Sequence, residues 1–434
     1  MAEPTLGGLT GGESAAGAGP AAAVPVPTAA AVPVRSAHRA VAVVFAVNGA
    51  LLGTWAPRIP EVQQKLGISH GTLGLVLFAL AAGSLTAMPV VGRLMQRYGS
   101  SQALRVATVA ACAVPGAVGA AGSVPAIWPA LFLWGVALGG MDVAMNAQAV
   151  TVQQAHPRTV INGIHACFSL GGLLGAATGS AAAALAVPVT WHLAVAGAVG
   201  LVCCLPLLRH LLEDQGPAAE AARDGAQRED AGTGRTSLAR TGPLTLLCAA
   251  AFAAMLAEGA TADWSAVRLT ETGVSAGTAG LGYTAFALAM LVGRASGDTL
   301  ARRVGHARMA GAAALLGCGG AVAGFAVPGP VPAMVAFAAL GLGLSCLMPF
   351  LFVAAGEGAQ GTAVAVTAVS TSGYLGLLTG PALIGGLAEL SSVATALWLL
   401  PALLLLGSLP AVRTAHGERA ARMAHITDTK GSES

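Results

Sequence analysis

The sequence predicts an all-α membrane protein: twelve transmembrane helices in two six-helix bundles that repeat one another in parallel. Three observations carry that prediction. Of 434 residues, 55% are hydrophobic and 9% charged, whereas soluble domains carry roughly 25% charged residues. The apolar residues gather into windows of about 20, the length a helix needs to cross the hydrocarbon core of a bilayer. The two halves of the chain also share a motif at a fixed offset.

The elements follow in order. Residues 1–36 are rich in Ala, Gly and Pro and have little to bury, so they read as a disordered tail. That tail is long for the charged start of a secretory signal and many apolar segments follow it, so no cleavable signal is expected. Six windows come next, at 38–57, 71–92, 103–122, 126–149, 162–185 and 189–208, and form an N-terminal bundle over 37–208. Residues 209–242 mix arginines with acids and read as a flexible linker. Six more windows, 243–263, 277–298, 308–327, 332–354, 363–387 and 392–412, form a C-terminal bundle over 243–412. Residues 413–434 are a second tail. Pro125, Pro188 and Pro330 divide neighbouring windows where no charge marks the turn. A β-barrel would show alternating strands of about ten residues, and none is seen.

Lys and Arg set the expected orientation in the cytoplasmic membrane. With a cytoplasmic N-terminus, Arg58, Lys65 and Arg268 lie outside. Arg93, Arg97, Arg105, Arg158, Arg302, Arg303 and Arg308 lie inside with the linker and both tails. This is a positive-inside bias. It places Trp55 and Trp264 at the outer interface, where indoles anchor.

The repeat lies between "LGISHGTLGL" (Leu66 to Leu75) and "TGVSAGTAGL" (Thr272 to Leu281). Gly67, Ser69, Gly71, Thr72 and Gly74 recur 206 residues later at Gly273, Ser275, Gly277, Thr278 and Gly280. The same offset takes Arg97 and Gly99 to Arg303 and Gly305. In spans 1 and 7 the offset is 209 to 210, taking Gly49, Trp55 and Arg58 to Gly259, Trp264 and Arg268. Parallel repeats of this size fit a transporter with its site between two bundles.

The loop after span 2, "GRLMQRYGSSQAL", resembles the signature G-x-L-a-D-r-x-G-r-r of the major facilitator superfamily. Gly92, Leu94, Arg97 and Gly99 match it, and Gln96 stands where the family has Asp. The loop after span 8, "GRASGDTLARRVG", keeps the glycine, arginine and acidic character. "NGALLGTWAPRIPEV", "GGMDVAMNAQAV" and "AEGATADWSAV" are similar to the YbjJ-like inner-membrane branch of that family. Span 4 is more distantly similar to the sugar-symporting fucose permeases. The resemblance implies that spans 1, 4, 7 and 10 line a central cavity. It also implies a gating role for Gly92, Arg97, Gly99, Arg294, Asp298 and Arg303, with Arg294 and Asp298 paired at i, i+4 near the inner end of span 8.

The deep polar residues fall on those spans. Asn48 is in span 1, Asp142 and Asn146 in span 4, and Glu258 in span 7. An acid at mid-helix costs roughly 2.5–3.5 kcal/mol on insertion scales, so it faces a partner or water rather than lipid. The resemblance to the fucose-permease-like branches makes Asp142 the proton-coupling site. The residues alone also allow a structural Asp bonded to a neighbouring helix. Glu258 reads as a second proton site, a substrate ligand, or a partner of Arg58 or Arg268. Asn48 reads as a substrate ligand or a helix-to-helix bond. His165 reads as a proton relay or an interfacial histidine. The offset of 206 takes Asp142 to Met348 and Asn146 to Phe352, so the fold does not itself require the acid. Phe352 and Tyr374, with Asn48 and Asn146, are the expected substrate-cavity residues.

The expected activity is secondary active transport of a small neutral or cationic solute by alternating access, coupled to protons through Asp142. The charge preference follows from two deep acids with no Arg or Lys placed among the cavity helices. A proton-antiport exporter of lipophilic or cationic compounds is the rival within this class. A non-transporting receptor or scaffold is the rival outside it. No catalytic Ser/His/Asp set, phosphate-cradling loop or metal spacing appears, so no enzyme, metal or cofactor is expected. The seven cysteines lie in apolar runs and read as free thiols. A formal charge of +3 does not suggest a nucleic-acid partner. The expected partners are solute, protons and lipid, for a monomer.

Overall fold

Each apolar window becomes a helix in the computed structural model, which describes residues 33–158, 160–213, 241–356 and 362–431. In the first half these are α1 (Val34–Trp55), α2 (His70–Tyr98), α3 (Ser100–Ala113, continued by Pro115–Ala120), α4 (Val124–Ala155), α5 (Ile161–Ala184) and α6 (Val189–Cys204). In the second they are α7 (Thr241–Thr270), α8 (Ala276–Val304), α9 (His306–Ala326), α10 (Pro330–Leu344, continued by Leu347–Gly356), α11 (Thr362–Leu390) and α12 (Leu399–Gly431). Among the described residues, eleven spans are long and apolar enough to cross a membrane, and α6 is a shorter apolar helix. α12 runs on to Gly431, past the expected end of the last span at 412.

The repeated motif is a stop–turn–start device. Gly67 (φ +62°) and Gly273 (φ +80°) turn the chain in the left-handed region, where a side chain is strained. Ser69 then caps α2 by accepting the Thr72 N–H at 3.3 Å, and Ser275 caps α8 by accepting the Thr278 N–H at 3.4 Å. Gly99 and Gly305, again repeat mates with positive φ, separate α2 from α3 and α8 from α9. α1 begins and α12 ends on one face of the helix array, the terminal face. The two capped motifs lie on the far face.

Within each bundle, glycines bring helix backbones into contact. Gly49 and Gly53 of α1 meet Phe168 and Gly172 of α5, where an added Cβ would strike backbone atoms. Gly135 of α4 meets the Leu80 backbone on α2, and its repeat mate Gly341 of α10 meets Phe286 on α8. Close approach of this kind drives helix association where lipid removes the hydrophobic advantage. Between bundles, α2 packs on α11 and α5 packs on α8.

Two expected interface residues are inside. Trp55 is 4% exposed and packs edge-on against Trp134, with ring centroids 6.1 Å apart. Trp264 is fully buried. Both tryptophans are covered by protein, Trp55 at the last residue of α1 and Trp264 inside α7, so they do not lie at the lipid surface. Arg58 is buried as well. It donates to the Val187 carbonyl and to Glu61 Oε2, the latter at 2.8 Å. Its partner is therefore Glu61, not Glu258. Glu61→Gln should strip this buried guanidinium of its counter-charge and cost about 2–3 kcal/mol. Arg58→Met, which removes the buried charge as well, should cost less. Thermal unfolding midpoints of the two purified variants check that order.

Candidate functional site

The site is a cavity of about 380 Å³ between the bundles, walled by α1, α2, α4 and α5 on one side and α7, α8 and α11 on the other. Its walls are mainly apolar, with Leu80, Phe168, Phe286 and Met290 among them. The polar groups are few and come from both bundles.

The far face is sealed by the repeated motif itself. Gly74 of α2 lies against Pro381 and Gly385 of α11, and Gly280 of α8 lies against Ser180 of α5. The Gly71 N–H donates to Glu389 Oε2 at 2.9 Å, and His70 Nε2 stands 3.5 Å from Glu271 Oε1. The sequence similarity of the two motifs thus reflects a shared task, because each presents small residues to the opposite bundle.

Asp142 lies in the cavity wall on α4. The Tyr374 hydroxyl of α11 donates to its Oδ2 at 3.2 Å, so the carboxylate is bonded across the bundle interface. Asn146 Nδ2 donates to Asp142 Oδ1 at 3.3 Å and to the Asp142 carbonyl at 2.8 Å. Asn146 therefore backs the acid and is not part of the wall. Both side-chain partners are neutral. Asn48 also lines the cavity, donating from Nδ2 to Met145 Sδ at 3.4 Å. Its Oδ1 has no hydrogen-bond partner and the residue is 1% exposed. An orphaned buried acceptor costs about 1–3 kcal/mol.

Glu258 on α7 faces Arg294 on α8, with Oε1 and Nη2 3.4 Å apart. Arg294 Nη1 reaches Ser169 of α5 at 3.4 Å. This corrects two expectations. Arg294 is a cavity residue paired with Glu258, and it is not an inner-end gate residue. The cavity consequently holds a cation. The reason is length: α8 has 29 residues, so Arg294 lies ten residues, about 15 Å, inside its terminal-face end. The Asp298 side chain falls outside the described residues. Arg97 and Arg303 are exposed at the terminal-face ends of α2 and α8. Among the described residues, no hydrogen bond or ion pair joins either to the opposite bundle. Gly92 has open space around it, and Gly99 serves as the cap of α2.

Phe352 does not line the cavity. It sits on the second segment of α10 and is 36% exposed. Asn146, its repeat mate, is absent from the wall as well, so the two halves agree at this position. His165 packs edge-on against Phe45 at 5.0 Å and is also absent from the wall.

Two wall residues escape the sequence reading. Asp263 of α7 and Tyr283 of α8 both face the cavity. A signal for Asp263 was present, since it precedes Trp264, the repeat mate of Trp55, and lies five residues beyond Glu258. The wall thus carries three acids, Asp142, Glu258 and Asp263, against Arg294. The double variant Glu258→Gln/Arg294→Gln should destabilise the protein by less than the sum of the two single variants. The coupling energy should be on the order of 1 kcal/mol, because both groups remain partly open to the cavity. Thermal unfolding of the four proteins in a double-mutant cycle measures it.

Comparison with known proteins agrees with this architecture. The profile described as Major Facilitator Superfamily matches residues 40–369. An uncharacterised MFS-type transporter of Yersinia pestis is 33% identical over 365 residues, covering 83% of this chain and 91% of the relative. Membrane protein MosC of Rhizobium meliloti is 31% identical over 367 residues, covering 82% and 85%. Among solved structures, the fold is similar to a bacterial homologue of the human lysosomal transporter Spinster, with TM-score 0.64 and 17% identity over 89% of this chain and 97% of that one. It is also similar to the nucleoside transporter NupG, with TM-score 0.66 and 11% identity over 87% and 98%. The chain is a multi-pass membrane transporter and belongs to the major facilitator superfamily.

Proposed function

We propose that the protein moves a small neutral or cationic solute across the cytoplasmic membrane by alternating access, with proton coupling through Asp142. One observation carries the coupling: the Asp142 carboxylate of one bundle is bonded to Tyr374 of the other, inside the cavity. Its surroundings therefore depend on how the bundles sit, which is what a proton site must sense. An intramembrane acid that faces a cavity and a neutral partner fits a proton site better than an ion pair. The charge preference survives the correction at Arg294, because Glu258 holds that cation and two acids remain.

The positive-inside bias makes the terminal face cytoplasmic, with both termini there. The sealed far face is then the outer one, and the described state is closed to the outside. A terminal tag digested by protease only in inside-out vesicles supports this orientation, and digestion in right-side-out vesicles overturns it. Solute-dependent alkalinisation or acidification inside proteoliposomes tests coupling, and its sign separates symport from antiport export. Binding with no counterflow would support a receptor instead.

A further inference from the structure

We propose that Asp263 is an ammonium-binding site at the sealed end of the cavity, and that the solute is a small amine rich in hydrogen-bond donors. The inference rests on the cavity's being the transport site.

Asp263 faces the cavity, and among the described residues it has no hydrogen-bond or ion-pair partner. The cation of the wall does not serve it, since Arg294 is taken by Glu258 and Ser169. The fold does not need the acid. The offset of 209 that relates Trp55 to Trp264 relates Thr54 to Asp263, and Thr54 bonds His192 inside its own bundle at 2.9 Å. An unpaired carboxylate held inside a membrane protein without a structural duty marks a functional site.

The remaining polar groups define the ligand by what they lack. Asn48 Oδ1 is an acceptor, 1% exposed by residue, with no partner. The Asp263 carboxylate is an acceptor with no partner. The Arg294 guanidinium turns its two terminal nitrogens to Ser169 and Glu258 and not to Asp263. A ligand that pairs with the Asp263 carboxylate must donate there, and a positive donor matches its charge. An ammonium supplies three donors and a charge. Tyr283 lines the same cavity as Asp263, Glu258 and Arg294, and its ring stacks on Phe286 at 6.0 Å. That aromatic face suits a cation. A volume of about 380 Å³ is at the small end of ligand sites, which suits a small amine.

The test is a set of matched pairs added to the full-length protein in detergent: glucosamine against glucose, and N-methylglucamine against sorbitol. Apparent affinity is read from the shift in unfolding temperature. The amine of at least one pair should bind wild type about 30-fold more tightly than its hydroxyl partner. In Asp263→Asn that advantage should fall to about threefold or less, while Asp263→Glu, which keeps the charge, should retain most of it. Equal binding of both members in wild type, no binding by any amine, or full amine preference in Asp263→Asn overturns the proposal. The transport reading fails differently: the Asp263-dependent preference remains, but proteoliposomes show no amine counterflow.

Discussion

Asp142→Asn should abolish pH-driven accumulation of solute while leaving solute exchange intact. Asparagine has the size of the acid and can still accept from Tyr374, which donates to Asp142 at 3.2 Å. The cavity should therefore keep its shape and its solute. What is lost is the proton. One pH unit is worth about 1.4 kcal/mol, so a one-proton symporter sustains roughly a tenfold accumulation across it. In proteoliposomes with such a gradient, the wild-type ratio should approach ten and the Asp142→Asn ratio about one. Exchange of labelled for unlabelled solute moves no net proton and should persist. Tyr374→Phe keeps the carboxylate and should keep coupling, which separates the proton site from its partner. Undiminished gradient-driven accumulation by Asp142→Asn would falsify the coupling role.

The second large effect is expected at the seal. A Cβ on Gly74 would stand 2.7 Å from the Pro381 carbonyl oxygen and 3.0 Å from Gly385 Cα, both backbone atoms that cannot rotate away. Gly74→Leu adds three further carbons beyond that atom. The helices inside each bundle are not the ones pressed, so the bundles should fold. They should fail to meet on the far face, and net transport should fall by about two orders of magnitude or more. Hydrogen–deuterium exchange reads the shape directly: protection at the far-face ends of α2, α5, α8 and α11 should drop. Gly92→Ala makes a useful contrast, since nothing lies within 4 Å of that position in the described state. Unchanged exchange at those helix ends in Gly74→Leu would remove the seal from the mechanism.

Some of this was readable from the residues. Long apolar windows become helices because lipid leaves the backbone no other partner for its polar groups. The "LGISHGTLGL" repeat was visible because turn, cap and close approach each demand a particular small residue. Asp142 was visible because an acid in an apolar run is costly. Arg294 lies deeper than its apolar window suggests, because a 20-residue window cuts off the last turns of a 29-residue helix. Asn146 and Phe352 lie off the wall together, because a polar or aromatic residue on a cavity-side helix need not face the cavity. Asp263 is the last residue of its apolar window, which hides it among helix-end acids, whereas the cavity reaches that far. Trp55 and Trp264 show the limit of composition: an indole near a helix end does not say whether lipid or protein faces it.

The backbone-to-backbone packing inside each bundle has a mechanical consequence. Helices locked by glycine contacts with their neighbours bend little, so each bundle should behave as a stiff lever. Tyr374 and Glu389 are fifteen residues apart on α11, about 22 Å along its axis. A 10° tilt about the level of Tyr374 would then carry the far end by about 4 Å, enough to part the seal. Atoms at the fulcrum would scarcely separate. On this geometry the Asp142–Tyr374 bond is an axle pin and not a latch, and the carboxylate feels the stroke as a change in the side from which water arrives.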